Sequence, residues 1–171
     1  MEFDASPFLP FSSSRSLPGA EYDVFLSFRG SDTRINFTDH LYFALVDVGV
    51  RPFRDDYEPS IGKEIGAELI KAIAESKISI PILSKNYASS KWCLRELAKM
   101  VECRRTTGRP ILPIFYDVEP SEVRHQYGSY GEAFLQHERL FSESTVNEWK
   151  EALREVGALS GWHLNTEEFH G

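Results

Sequence analysis

Three short and nearly continuous apolar runs, YDVFLSF (22–28), KISIPIL (77–83) and PILPIFY (110–116), alternate with stretches whose apolar residues recur at helical spacing. Strands of that kind are apolar on both faces and must be covered on both. The alternation β-α-β-α-β-α-β-α-β therefore predicts one parallel sheet with helices on each side, joined by right-handed crossovers.

The order of elements can be read in more detail. The first run ends at Arg29-Gly30-Ser31, and from Asp32, a candidate N-cap, Phe37, Leu41, Ala44, Leu45 and Val48 keep helical spacing until Gly49. VRPF (50–53) is a short second strand, with Pro52 marking it as an edge. RDDYEPSIGK (54–63) is a polar loop, after which Ile65, Leu69, Ala72 and Ile73 define a second helix. SKWCLREL (90–97) opens a third helix that runs to about Arg105, and DVEPSEVRHQYG (117–128) reads as a loop. Helices are expected at about 130–141, opened by the capping-box pattern Ser129 to Glu132, and at 145–158, with Val146, Trp149, Ala152, Leu153 and Val156 on one face. SGWHLN (160–165) is the fifth strand. Five strands suit the flavodoxin-like order 2-1-3-4-5, a class in which ligands sit beyond the carboxyl ends of strands one and three. That rule selects Arg29 to Asp32 and the 84–96 segment, with the 54–63 loop beside them.

A chain of 171 residues suits one domain. Its 19 basic and 26 acidic residues give a net charge of −7, which argues against a nucleic-acid backbone or an anionic membrane as the main partner. The two cysteines, Cys93 and Cys103, fall in one helix and are held roughly 15 Å apart, too far for a disulfide. A reducing compartment follows. Residues 1–20 read as a flexible arm, and no run approaches the ~20 apolar residues of a membrane helix.

On a helical wheel Leu94, Leu97, Ala98 and Val101 face the sheet, while Arg95, Lys99 and Glu102 form a polar strip. The remaining sector holds Trp92, Cys93, Met100 and Cys103, with Glu96 as its one charge. Either Glu96 makes a helical surface pair with Lys99, or it belongs to a pocket wall or contact surface, where a carboxylate can stabilise a cationic sugar centre. Arg29-Gly30 can meet a phosphate or form a solvated turn. Asp55-Asp56 suggest a metal or phosphoacceptor site, but a receiver-type acceptor belongs at the end of strand three, where Leu83-Ser84 stand; capping of turns is the alternative. No two of His40, His125, His137, His163 and His170 have metal-ligand spacing, and no GxSxG or HExxH motif is present.

YDVFLSFRGSDTR, the FRDD loop with its GKEI exit, SKNYASSKWCLREL, ILPIFYDVEPSEVR and SGWHL together resemble the TIR domain of plant nucleotide-binding leucine-rich-repeat immune receptors, over residues 21–165. The resemblance implies a flavodoxin-like fold and an enzyme that cleaves NAD+ or NADP+ at the nicotinamide-ribose bond when self-associated. It needs no separate cofactor, and nucleic acid is at most a secondary substrate. The resemblance makes Glu96 the catalytic residue and places Arg29, Gly30, Trp92 and Cys93 at the substrate. Asp39-His40 match one self-association surface, with aspartate in place of serine, and Gly161-Trp162 match another. Asp55, Asp56, Gly62, Lys63 and Ile65 belong to the BB loop, which reorganises on assembly.

The implied partners are other TIR domains, as a dimer or tetramer in a full receptor, without a membrane. The implied location is the cytoplasm, with the nucleus as a second compartment. Residues 166–171 read as the start of a shortened C-terminal helix or a linker. The competing expectation is a non-catalytic TIR-TIR scaffold, which has no need for a lone carboxylate in WCLREL.

Overall fold

The computed structural model describes residues 22–54 and 66–167. Five parallel strands form one sheet in the order β2-β1-β3-β4-β5. They are β1 (Val24–Phe28), β2 (Pro52–Arg54), β3 (Ile78–Leu83), β4 (Ile114–Tyr116) and β5 (Trp162–Leu164). This is the flavodoxin-like arrangement expected from the alternation, and Pro52, which has no N–H to give, lies on the edge strand.

The helices are α1 (Asp39–Asp47), α2 (Ala67–Glu75), α3 (Lys91–Thr107), α4 (Pro120–His125), α5 (Gly128–Leu140) and α6 (Glu143–Gly157). Residue parity along β1 separates two apolar layers. Val24, Leu26 and Phe28 join Ile80, Ile82 and Ile114 on the side where Phe37, Leu41, Tyr42 and Leu45 pack. Phe25 joins Leu83, Phe115 and the buried residues of α2 through α6 on the other. Ser27 shares the parity of Phe25, so its hydroxyl enters the layer beneath α3.

Several local expectations are corrected. The first helix does not start with Asp32 as cap: a helical turn, Gly30–Thr33, and a wider π-type stretch, Arg34–Thr38, come before α1, and Arg29 occupies the N-cap position. Val48 lies beyond the last helical residue and is 72% exposed, and Ala44 falls on the exposed flank. Within PILPIFY only Ile114–Tyr116 forms strand, because Pro110 and Pro113 cannot donate to a ladder; Ile111 makes an isolated bridge to Ser79. The 117–128 loop contains α4, with Pro120 in its first turn. The Ser129 capping box does not form, since α5 already begins at Gly128; Glu122 of α4 instead accepts from the Ser129 amide at 3.2 Å.

α3 is set at both ends. Ser90 caps it by accepting from the Cys93 amide at 3.2 Å, and Arg104 and Arg105 near its end pair with Glu155 of α6 at 3.1 and 2.6 Å. The α6 face expected from spacing is buried as read, with Trp149 packed on Phe141 and on His137 of α5.

His137 is buried and its Nε2–H donates to the Ala88 carbonyl at 2.7 Å. Burial lowers its pKa below the ordinary 6.5 despite that bond. The unfolded chain therefore binds the proton more readily between the two values. The contribution is complete above the unfolded pKa and is lost as pH falls through the folded one. Urea unfolding from about pH 7 to about pH 5 is expected to show falling stability, with a shallower slope in His137→Gln.

Candidate active site

The carboxyl end of β1 meets the first turns of α3, and the contacts are specific. The Cys93 thiol donates to the Phe28 carbonyl at 3.5 Å. One turn further, Glu96 is buried, only 7% exposed, and its Oε1 accepts from the Ser27 hydroxyl at 2.6 Å. Ser27 lies 2.7 Å from the Tyr87 hydroxyl, which also reaches the Cys93 carbonyl at 3.2 Å. Burial first, then the nearby Cys93 and Glu96 groups, pushes the Tyr87 phenol well above its ordinary value. Tyr87 therefore stays protonated and is a hydrogen-bond donor in this chain.

The surface-pair alternative for Glu96 is not what forms. Lys99 pairs with Glu102 at 2.9 Å, and Glu96 lies inward against β1. Cys93 and Cys103 are both buried and form no disulfide with each other, as their spacing required.

A second set of contacts joins the loops after β1 and β3. Asp32 accepts from Ser84 Oγ at 2.6 Å, from the Asn86 amide at 2.9 Å and from Asn86 Nδ2 at 2.9 Å. Tyr130 of α5 donates to the Ser84 carbonyl at 2.8 Å from the other side. The 84–90 segment that leads into Trp92 and Glu96 is thus held from both directions. Position, rather than capping, explains Asp32: it stands at the switch point, where strand-end loops face each other.

Arg29 and Gly30 occupy the predicted place directly after β1, half-buried. The Arg34 guanidinium lies over the Phe28 ring, 5.2 Å from its centroid, and against Gly30, where a Cβ would meet its Nη2. A second arginine therefore stands at this mouth. Trp92 is buried, with Lys91 Nζ at 4.9 Å and Arg95 at 5.2 Å over its ring.

Ser27 and Arg34 were not singled out as site residues by sequence reasoning, and Asp32 and Tyr87 fell within the selected switch-point segments without being given a role there. Ser27 carried a usable signal, as the one polar residue inside VFLSF. Tyr87 sits in a segment that reads as loop and forms a 3-10 turn, Tyr87–Ser89.

The residues matched to self-association lie elsewhere. Asp39 forms an ion pair with Arg54 of β2, whose guanidinium also lies 4.5 Å from the centroid of the Tyr42 ring. His40 is exposed, and Trp162 is 60% exposed. At Gly161 a Cβ would collide with the Pro113 carbonyl oxygen, where the Trp162 amide donates to that same oxygen at 3.1 Å. Asp55, Asp56, Gly62, Lys63 and Ile65, the arm assigned to 1–20 and the last four residues of the 166–171 segment lie outside the described residues. Among the described residues no cluster of His, Cys, Asp and Glu could hold a metal, and no helix is long and apolar enough to cross a membrane.

A doubly wound sheet of this order, with a buried glutamate at the β1 switch point, defines a class of α/β module, and residues 21–168 match the TIR domain family. The chain belongs to that family. It is 53% identical over 154 residues to disease resistance protein RPV1 of Vitis rotundifolia, covering 90% of this chain and 11% of that protein. It is 47% identical over 152 residues to TMV resistance protein N of Nicotiana glutinosa, covering 88% of this chain and 13% of that one. The chain thus spans little more than a tenth of these curated relatives. Among solved structures, the TIR domains of the activated Roq1 resistosome directly recognizing the effector XopQ share 46% identity at a TM-score of 0.77, covering 88% of this chain and 91% of that one.

Two expected outcomes follow from the geometry. Asp32→Ala leaves the 84–86 donors without their carboxylate, so hydrogen exchange at the Asn86 amide accelerates and the fold loses about 1–3 kcal/mol. Gly161→Ala forces β5 off Pro113 and costs about 1–3 kcal/mol, with exchange faster at the Trp162 amide in the monomer, before any association is measured.

Proposed function

We propose that this chain is the signalling module of a plant immune receptor and that, once self-associated, it hydrolyses the nicotinamide-ribose bond of NAD+ or NADP+. The observation that carries the reading is Glu96: a carboxylate buried against the carboxyl end of β1 and held by Ser27, in a segment where a surface pair would have satisfied the helix. Similarity to plant resistance proteins, and to the TIR domains of an activated resistosome, supports the receptor context and the need for assembly.

The chemistry fits the groups present. Arg29, with Gly30 allowing close backbone approach, receives the diphosphate, and Trp92 borders the nicotinamide-ribose end. Glu96 stabilises positive charge as it develops on the ribose. The bond from C1′ to the pyridinium nitrogen breaks with its electron pair staying on nitrogen, so nicotinamide leaves neutral. Water then bonds to C1′ and releases a proton to solvent; an adenine nitrogen capturing C1′ instead gives a cyclic product. No further cofactor enters this scheme. Self-association joins TIR domains to one another and completes the site with a second chain, so the isolated monomer is slow. Polynucleotide is a secondary substrate at most, given the net charge of −7.

Nicotinamide release from NAD+ by clustered protein tests the reading, with assembly followed by light scattering on the same samples. Glu96→Gln is expected to lose at least about 100-fold in kcat while forming the same assemblies. Equal rates in the two proteins would sink the catalytic role and leave a scaffold that only recruits partners.

A further inference from the structure

Ser27 and Tyr87 are odd residues for their places. Ser27 sits in mid-strand between Leu26 and Phe28, 1% exposed, and Tyr87 is fully buried within the larger apolar layer. A buried hydroxyl must be bonded to avoid a desolvation cost, and an alanine and a phenylalanine would stand at these places with no such requirement. The two hydroxyls lie in a row toward one carboxylate. The Ser27 proton goes to Glu96 Oε1 at 2.6 Å, so in the 2.7 Å contact between Ser27 Oγ and the Tyr87 hydroxyl the proton comes from Tyr87, and the Cys93 carbonyl at 3.2 Å accepts it as well.

We infer that Ser27 and Tyr87 form a buried positioning relay for Glu96: Tyr87 orients the Ser27 hydroxyl, and Ser27 fixes the carboxylate rotamer and favours its ionised form. The inference rests on the glycohydrolase reading for its kinetic consequence, but the relay itself is a property of the folded chain. Its parts come from β1, the 3-10 turn and α3, so the relay also ties carboxylate geometry to the packing of those elements. Hydrogen bonds in a row polarise one another, and in a site shielded from water the effect is largest on the terminal acceptor. Besides Glu96, the titratable groups facing Tyr87 are Cys93 of α3 and Tyr130 of α5. Neither touches Ser27 Oγ or Glu96 Oε1 in the bonds above.

The test compares wild type, Ser27→Ala, Ser27→Thr and Tyr87→Phe as full 171-residue chains. Two independent readouts are taken: kcat and KM for NAD+ by nicotinamide release from clustered protein across pH, and the Glu96 carboxyl titration by 13C NMR of the unclustered chain. In Ser27→Ala, kcat falls roughly 10- to 100-fold, the loss of one hydrogen bond to a charged group, with KM little changed. The Glu96 titration moves to higher pH. Tyr87→Phe moves both in the same direction by less, and Ser27→Thr, which keeps the hydroxyl, restores both.

A Ser27→Ala protein with kcat within twofold of wild type and an unmoved Glu96 titration overturns the relay. An effect in Ser27→Ala with none in Tyr87→Phe overturns the Tyr87 half. If wild type releases no nicotinamide from NAD+ or NADP+, the glycohydrolase reading fails by itself, and the Glu96 titration still decides the relay.

Discussion

Strand β1 is buried along its whole length between two apolar layers, and the placement of the remaining elements follows from it. β1 pairs with β2 on one side and β3 on the other, so it has no free edge. Val24, Leu26 and Phe28 face the α1 side, whereas Phe25 and Ser27 face α3. A slip of one residue would exchange those sets and send the Ser27 hydroxyl into a wholly apolar layer. Register in β1 is therefore at once a packing requirement and the condition for any contact with Glu96.

The same strand explains why polar groups are tolerated so near the core. The first turn of α3 is pinned to the end of β1 by the Cys93 thiol, and its N-terminus is capped by Ser90. The segment before it is gripped by Asp32 and by Tyr130. Side chains on a helix start held so closely lose little further freedom on binding a ligand, so a carboxylate there is preorganised rather than merely present. Buried polar contacts of this kind contribute little net stability if complete, but leave a costly orphan if one partner is removed.

Those contrasts also show what could be read from sequence. The sheet order was legible because continuous apolar runs with helical spacing between them admit few arrangements, and the buried face of α6 follows from periodicity alone. On α3 the expected stripe of Leu94, Leu97, Ala98 and Val101 was too narrow, since Trp92, Cys93, Met100 and Cys103 are buried as well and Ala98 is only half-buried. Glu96 was legible as one charge in an apolar sector. The short helix α4 was not, because six residues are too few to show a period, and its proline reads equally well as a loop signal. Asp32 was legible as a residue but not as a contact: a capping aspartate and one that bridges to Ser84 and Asn86 look alike until the fold brings residues 52 and 54 positions apart together. Ser27 and Tyr87 escaped for the same reason, since their bonds to Glu96 and to each other span 69 and 60 positions.

The residues that resemblance assigns to self-association divide into two physical kinds, and the division governs how variants at them should be read. Asp39 is paired with Arg54 and links α1 to β2, while Gly161 has no room for a side chain beside Pro113. Replacing either disturbs the fold of the single chain first, so loss of assembly in such variants has an intramolecular cause ready to hand. His40 is exposed, and so is Trp162 on the end strand β5. Substitutions there change what a second chain would touch while leaving buried packing in place, which makes them the cleaner probes of an interface. The intramolecular ties at Asp39 and Gly161 hold elements in register; contacts between chains, where they form, are built on surfaces that those ties have already placed.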